Sequence, residues 1–72
     1  MQYTIVYGAG TASEIKRGIP LFHYATREKA EKELAEYKRL SKKHGEPITE
    51  EGEDYFSVYR NGFVNTYKIK AI

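Results

Sequence analysis

The chain has 72 residues, a formal net charge of +2 and no cysteine. Residues 1–72 therefore form at most one domain with a thin core, and disulfides, thiolate metal sites and a cysteine nucleophile are excluded. No apolar run approaches the roughly 20 residues of a membrane-spanning helix, and residues 1–7 lack the pattern of a signal peptide, so we expect a cytoplasmic protein.

The first part of the chain predicts two strands. Residues 2–7 alternate in character and are rich in β-branched and aromatic side chains, which is typical of a strand. Two glycines, Gly8 and Gly10, end this pattern, and residues 11–18 are small and polar enough to predict a loop. Ile19–Tyr24 is a short apolar run that we interpret as a second strand, with Pro20 near its start, where a missing N–H is tolerated.

A helix is predicted over Arg27–Lys43. Thr26 precedes this segment and can accept a hydrogen bond from a first-turn amide, and Gly45 follows it and can adopt the left-handed conformation that ends helices. Apolar residues recur every three or four positions and define one stripe. The stripe consists of Ala30, Leu34, Tyr37 and Leu40, with Ser41 beside it.

The charged residues are unevenly distributed. Residues 1–45 contain nine basic and five acidic side chains, residues 46–54 contain five acids and no base, and residues 55–72 contain three bases and no acid. Residues 46–53 show no periodicity and predict a solvated acidic loop. Binding of a hard cation is the alternative for this segment, but the spacing of its carboxylates does not fit a calcium-binding loop.

A β-hairpin is predicted for residues 54–72. Two alternating runs, Tyr55–Arg60 and residues 63–69, flank Asn61-Gly62, a dipeptide that favours a type I′ turn. The turn fixes the register, because in a two-residue loop Arg60 must lie opposite Phe63. The remaining predicted pairs are Tyr59 with Val64, Val58 with Asn65, Ser57 with Thr66, Phe56 with Tyr67, and Tyr55 with Lys68.

The two faces of this hairpin differ in character. One carries Phe56, Val58, Phe63, Tyr67 and Ile69 and is expected to enter the core, to which Tyr3, Ile5, Tyr7, Leu21 and Phe22 also contribute. Helix and sheet can bury their apolar sides only against one another. The fold class is therefore predicted to be α+β, a two-layer domain of order β-β-α-β-β with one helix packed on one face of a small sheet.

Catalytic patterns are weak in this sequence. His23 and His44 have no evident partner for acid–base chemistry, and the serines lack a nucleophile-elbow motif. The glycines at 8 and 10 suggest a phosphate-binding loop, but the third glycine and the lysine of that motif are missing. We therefore expect no enzymatic activity and no cofactor or metal.

Binding is the better-supported function. The outer hairpin face combines tyrosines, which are common in interface hot spots, with lysines. A small protein-binding or regulatory accessory module, with a protein partner or a second copy of the chain, is the leading hypothesis. The alternative is a single-stranded nucleic-acid binder, in which the tyrosines stack on bases and the lysines follow the phosphates, although the neighbouring acids would repel phosphate. The predicted contact residues are Tyr55, Tyr59, Val64, Thr66, Lys68 and Lys70.

Overall fold

The computed structural model describes residues 2–13, 15 and 18–72, and within them the chain forms one helix and one five-stranded sheet. The elements are β1 (Tyr3–Ala9), β2 (Ile19–Tyr24), α1 (Arg27–Lys43), β3 (Ile48–Glu51), β4 (Tyr55–Arg60) and β5 (Phe63–Ala71). The strands lie in the order β2-β1-β5-β4-β3, and all neighbours are antiparallel. The helix packs on one side of the sheet. The predicted α+β class is confirmed.

Strand β3 corrects the prediction of a loop at residues 46–53. Its four residues pair with β4, with Ile48 opposite Val58 and Glu51 opposite Phe56. All of β3 except Ile48 is exposed, so the segment has no apolar alternation by which a strand can be predicted. Pairing with β4 creates this strand, and the observed element order is β-β-α-β-β-β.

The structure confirms the predicted limits of the helix. The side chain of Thr26 accepts a hydrogen bond from the Lys29 amide at 3.2 Å, and Gly45 has a φ of 77° while its amide donates to the Lys42 carbonyl. Ala30, Leu34 and Ser41 are buried, and Tyr37 and Leu40 are half-buried. Among the described residues no helix is long and apolar enough to span a membrane.

The hairpin of β4 and β5 has the predicted register. All six predicted pairs, from Tyr55 opposite Lys68 to Arg60 opposite Phe63, are observed. Asn61 and Gly62 both have positive φ values, 53° and 84°, which is the sign that a type I′ turn requires. Strand β5 continues to Ala71 because β1 pairs along its other edge.

The core lies between α1 and the centre of the sheet. Tyr67 is at its middle, and its ring is 4.6 Å from the ring of Tyr7, 4.8 Å from that of Phe56 and 5.3 Å from that of Tyr37. The buried cluster consists of Ile5, Ala30, Leu34, Phe56, Val58, Tyr67 and Ile69. Tyr3, Tyr7 and Leu21 pack against this cluster as partly buried residues.

Two residues predicted to be in the core are exposed. Phe63 is 69% exposed, since it lies beside the turn and outside the core cluster. Phe22 is 65% exposed because β2 contains a bulge. Leu21 and Phe22 together face the single residue Ile5 of β1, so alternation along β2 is broken, and of these two residues Leu21 alone packs on the core.

The connection between β1 and β2 agrees with the predicted loop where it is described. Residues 11–13, 15 and 18 have no regular secondary structure, and positions 14, 16 and 17 of the predicted loop lie outside the described residues. This connection leaves the end of β1 at Gly10, whose φ of 104° turns the chain away from the sheet ladder.

Candidate functional site

The side of the sheet away from α1 carries the predicted contact residues, and we call it the open face. Since Tyr67 and Ile69 lie in the core, the residues that alternate with them on β5 lie on this opposite side. The same alternation assigns residues of β1 and β4. The open face consists of Thr4, Val6, Tyr55, Ser57, Tyr59, Val64, Thr66, Lys68 and Lys70.

The middle of the open face is closed. Thr66 is completely buried, and its hydroxyl donates to the Gly10 carbonyl at 2.7 Å. Ser57 is also completely buried, and its hydroxyl lies 2.6 Å from that of Thr66. Because Thr66 already donates its proton to Gly10, Ser57 is the donor in the hydrogen bond between the two hydroxyls. Thr66 was predicted as a contact residue, but its hydroxyl is engaged by Gly10 and Ser57 and its side chain has no exposed surface in this structure.

The two tyrosines of the open face differ in how available their side chains are for contact with a partner. The Tyr55 hydroxyl donates to a Glu50 carboxylate oxygen at 2.7 Å, and this hydrogen bond raises the pKa of Tyr55. Its ring is half-buried. Tyr59 is 48% exposed and lies opposite the half-buried Val64, close to the turn. Tyr59 is therefore the tyrosine of this face that is available for contact.

The two lysines lie toward the other end of the open face. Lys68 is opposite Val6 and half-buried, and Lys70 is opposite Thr4 and exposed. In the described part of the chain neither lysine forms a salt bridge, whereas the acidic side chains Glu46 and Glu51 both do. These lysines give their end of the face a positive charge.

A groove runs beside Lys70, between the end of β5 and the edge strand β2. Its volume is about 230 Å³. We call it the lysine groove, and its lining residues are Thr4, Val6, Gly18, Pro20, His23, Lys70, Ala71 and Ile72. Sequence reasoning missed it because its walls come from three segments that are distant in the chain and meet only when β1 pairs with both β2 and β5.

A second polar cluster surrounds Arg60 on the helix side of the sheet. Arg60 forms two hydrogen bonds with the carboxylate of Glu46, at 2.5 and 2.9 Å, and donates to the hydroxyls of Tyr7 and Tyr67 at 3.1 Å each. These contacts lower the pKa of Glu46 and raise that of Arg60. Because most of the guanidinium donors are already occupied, this cluster fastens the hairpin to the segment after α1 and is not a binding site for a ligand.

The two edges of the sheet have features that discourage pairing with another strand. Pro20 and the bulge interrupt the edge formed by β2, and both are recognised means of protecting an edge. The other edge, β3, has only four residues, two of which are glutamates. One of them, Glu51, forms a 2.8 Å salt bridge with Lys38 of α1. A partner is therefore expected to bind through side chains and not by extending the sheet.

The residues considered for chemistry remain apart. His23 is exposed at the rim of the lysine groove, and His44 caps the C-terminus of α1. The described residues contain no cluster of three or more His, Asp or Glu side chains that could hold a metal ion. Comparisons with protein-family models, curated proteins and solved structures gave no match for this chain.

Proposed function

We propose that this chain is a small, non-enzymatic protein-binding module of the cytoplasm, and that the open face is its contact surface. The observation that carries the proposal is the combination of exposed Tyr59, the lysine groove and two lysines without an acidic partner among the described residues. An exposed tyrosine and an apolar depression on one face, with charged side chains toward its rim, match the composition of many protein interfaces.

A partner of different sequence fits this face better than a second copy of the chain. A symmetric dimer would place Lys68 and Lys70 of both copies in one interface, so four positive charges would be desolvated together. Dimerisation by strand pairing is also disfavoured, because β2 and β3 are both protected edges. We therefore propose an acidic partner surface.

Affinity purification with matched variants tests this proposal. The wild-type chain, the double variant Tyr59→Ala/Lys70→Glu and the single variant Lys32→Glu are tagged and used to recover partners from source cells. Lys32 is exposed on the outer side of α1, so its replacement serves as the control on another surface. We expect one partner to be recovered with the wild type and the control and lost with the double variant. Recovery that is equal for all three would contradict the proposal.

Single-stranded nucleic acid is the alternative partner, favoured by the exposed ring of Tyr59 on the same face of the sheet as Lys68. Against it, Glu50 occupies the hydroxyl of Tyr55 and places a negative charge beside the same face. Titration with labelled oligothymidine at low and high salt separates the two partners. If the alternative holds, binding appears at low salt and weakens in both Tyr59→Ala and Lys68→Ala; our proposal predicts no binding.

A further inference from the structure

The floor of the lysine groove is apolar although a threonine forms half of it. Thr4 and Val6 lie there side by side on one face of β1, and they are only 4% and 7% exposed. The Thr4 hydroxyl donates to the Phe22 carbonyl at 2.6 Å, so its hydrogen-bonding need is met within the protein. What a ligand meets at the floor is therefore chiefly methyl groups, which favours an apolar side chain.

Backbone forms one wall of the groove. Gly18 lies so close to Val6 that a Cβ atom at position 18 would be 2.6 Å from the Val6 Cβ atom. A residue with a side chain cannot approach β1 in this way. The opposite wall is formed by Lys70, Ala71 and Ile72, and the Ile72 amide is fixed by a 2.8 Å hydrogen bond to the Gln2 carbonyl. One wall is thus fixed by the close approach of Gly18 to Val6, and the other by the hydrogen bond from Ile72 to Gln2, the residue before β1.

The size and charge of the groove define what it accepts. Its volume of about 230 Å³ is smaller than the roughly 300–1,000 Å³ of small-molecule sites and suits a single large side chain. Lys70 is at its rim, Lys68 is the next open-face residue along β5, and no acidic residue among those the structure describes lines it. A ligand with an apolar group and adjacent negative charge complements these features.

We propose that the lysine groove binds a peptide segment of the partner that has one large apolar side chain followed by carboxylates. This inference rests on the proposed protein-binding function and names the class of ligand. The acidic residues of β3, which follow Ile48, do not supply such a segment in a second copy. Glu51 is paired with Lys38 and Glu50 with Tyr55, and both are held in a paired strand.

Peptide titration followed by NMR of the ¹⁵N-labelled chain tests the inference. The probes are an acetylated pentapeptide with a central phenylalanine followed by two aspartates, and the same peptide with two lysines in place of the aspartates. We expect shift changes at Thr4, Val6, His23 and Ala71, with the acidic peptide binding at least about tenfold more tightly than the basic one. The preference for the acidic peptide should reverse in the Lys70→Glu variant. It should persist in Lys32→Glu, which changes the net charge of the protein by the same amount as Lys70→Glu.

Several outcomes would overturn the inference. These are equal affinity for the two peptides, shifts outside the groove, or a preference that Lys70→Glu leaves unchanged. Groove shifts that depend on protein concentration without peptide would instead identify a second copy as the occupant. If peptide binding fails while the purification still recovers a partner that depends on Tyr59 and Lys70, the ligand class is wrong and the protein-binding function stands. If both fail, the function is wrong as well.

Discussion

Thr66 lies on the side of the sheet that alternation predicts, yet it has no exposed surface. Alternation along a strand determines the side of the sheet on which a side chain lies. Whether that side chain is exposed depends on which other segment of the protein packs over it. Here Gly10, 56 residues away in the sequence, supplies the carbonyl that accepts from Thr66. A contact of this range cannot be predicted from the hairpin alone, and for this reason the predicted contact set contained a residue of the interior.

The buried hydroxyl pair predicts a measurable cost for Thr66→Val. Valine has a similar shape, but the replacement leaves the buried Ser57 hydroxyl and the half-buried Gly10 carbonyl without their partner. We expect a loss of about 1–3 kcal/mol in the free energy of unfolding, measured by urea denaturation. Thr49→Val, at an exposed position of β3, is the matched control and should change stability by less than about 0.5 kcal/mol. Equal effects of the two variants would refute the role assigned to the pair.

The ion pair of Glu46 and Arg60 predicts a pH dependence of stability. Because Arg60 lowers the pKa of Glu46 in the folded chain, the pair stabilises the fold at pH values above the unfolded pKa of about 4.5. That contribution is lost as the pH falls through the lower, folded pKa. We expect Glu46→Gln to destabilise the protein by about 1–2 kcal/mol at pH 7, and the difference from the wild type to shrink below pH 4.5.

Urea denaturation between pH 3 and pH 7 measures this dependence. Glu53→Gln, which replaces an exposed acid outside the ion pairs of the described chain, serves as the control. A wild-type curve parallel to that of Glu46→Gln at all pH values would show that the ion pair does not contribute as proposed.

At the scale of elements, the sequence predicts those structures whose signals are local. The helix has a cap, a stripe and a terminal glycine within 20 residues, and the hairpin register follows from Asn61-Gly62. Strand β3 and the bulge in β2 have no such signal. Both arise from pairing with a neighbouring strand, which also explains why Phe22 is exposed although it lies in an apolar run.

The hairpin turn gives a prediction for Gly62→Ala. Gly62 has a φ of 84°, and a Cβ atom there would have no neighbour within 4 Å, so the cost of alanine comes from backbone strain alone. We expect a loss of about 1–2 kcal/mol in urea denaturation. Gly8→Ala is the control, because the φ of Gly8 is not positive and a Cβ atom there would make ordinary contacts at 3.6 Å. A destabilisation of Gly8→Ala as large as that of Gly62→Ala would contradict this reasoning.

At the scale of the whole molecule, the sheet has one side covered by α1 and another that is only partly closed. The sequence predicts that Tyr59, Lys68 and Lys70 share the uncovered side, since register determines this. It does not predict the lysine groove, which forms only when β2 and β5 flank β1, nor the protection of both edges. The structure therefore moves the proposed contact from the hairpin alone toward the end of the open face where the three strands meet.

Site-specific photocrosslinking in source cells tests most directly whether the open face binds a protein. A photoreactive phenylalanine analogue replaces Tyr59 or Lys70 on the open face, or Arg39 on the exposed outer side of α1. We predict one discrete crosslinked protein from positions 59 and 70 and none from position 39. Crosslinking of that protein from position 39 with equal yield, or its absence from both open-face positions, would contradict the account.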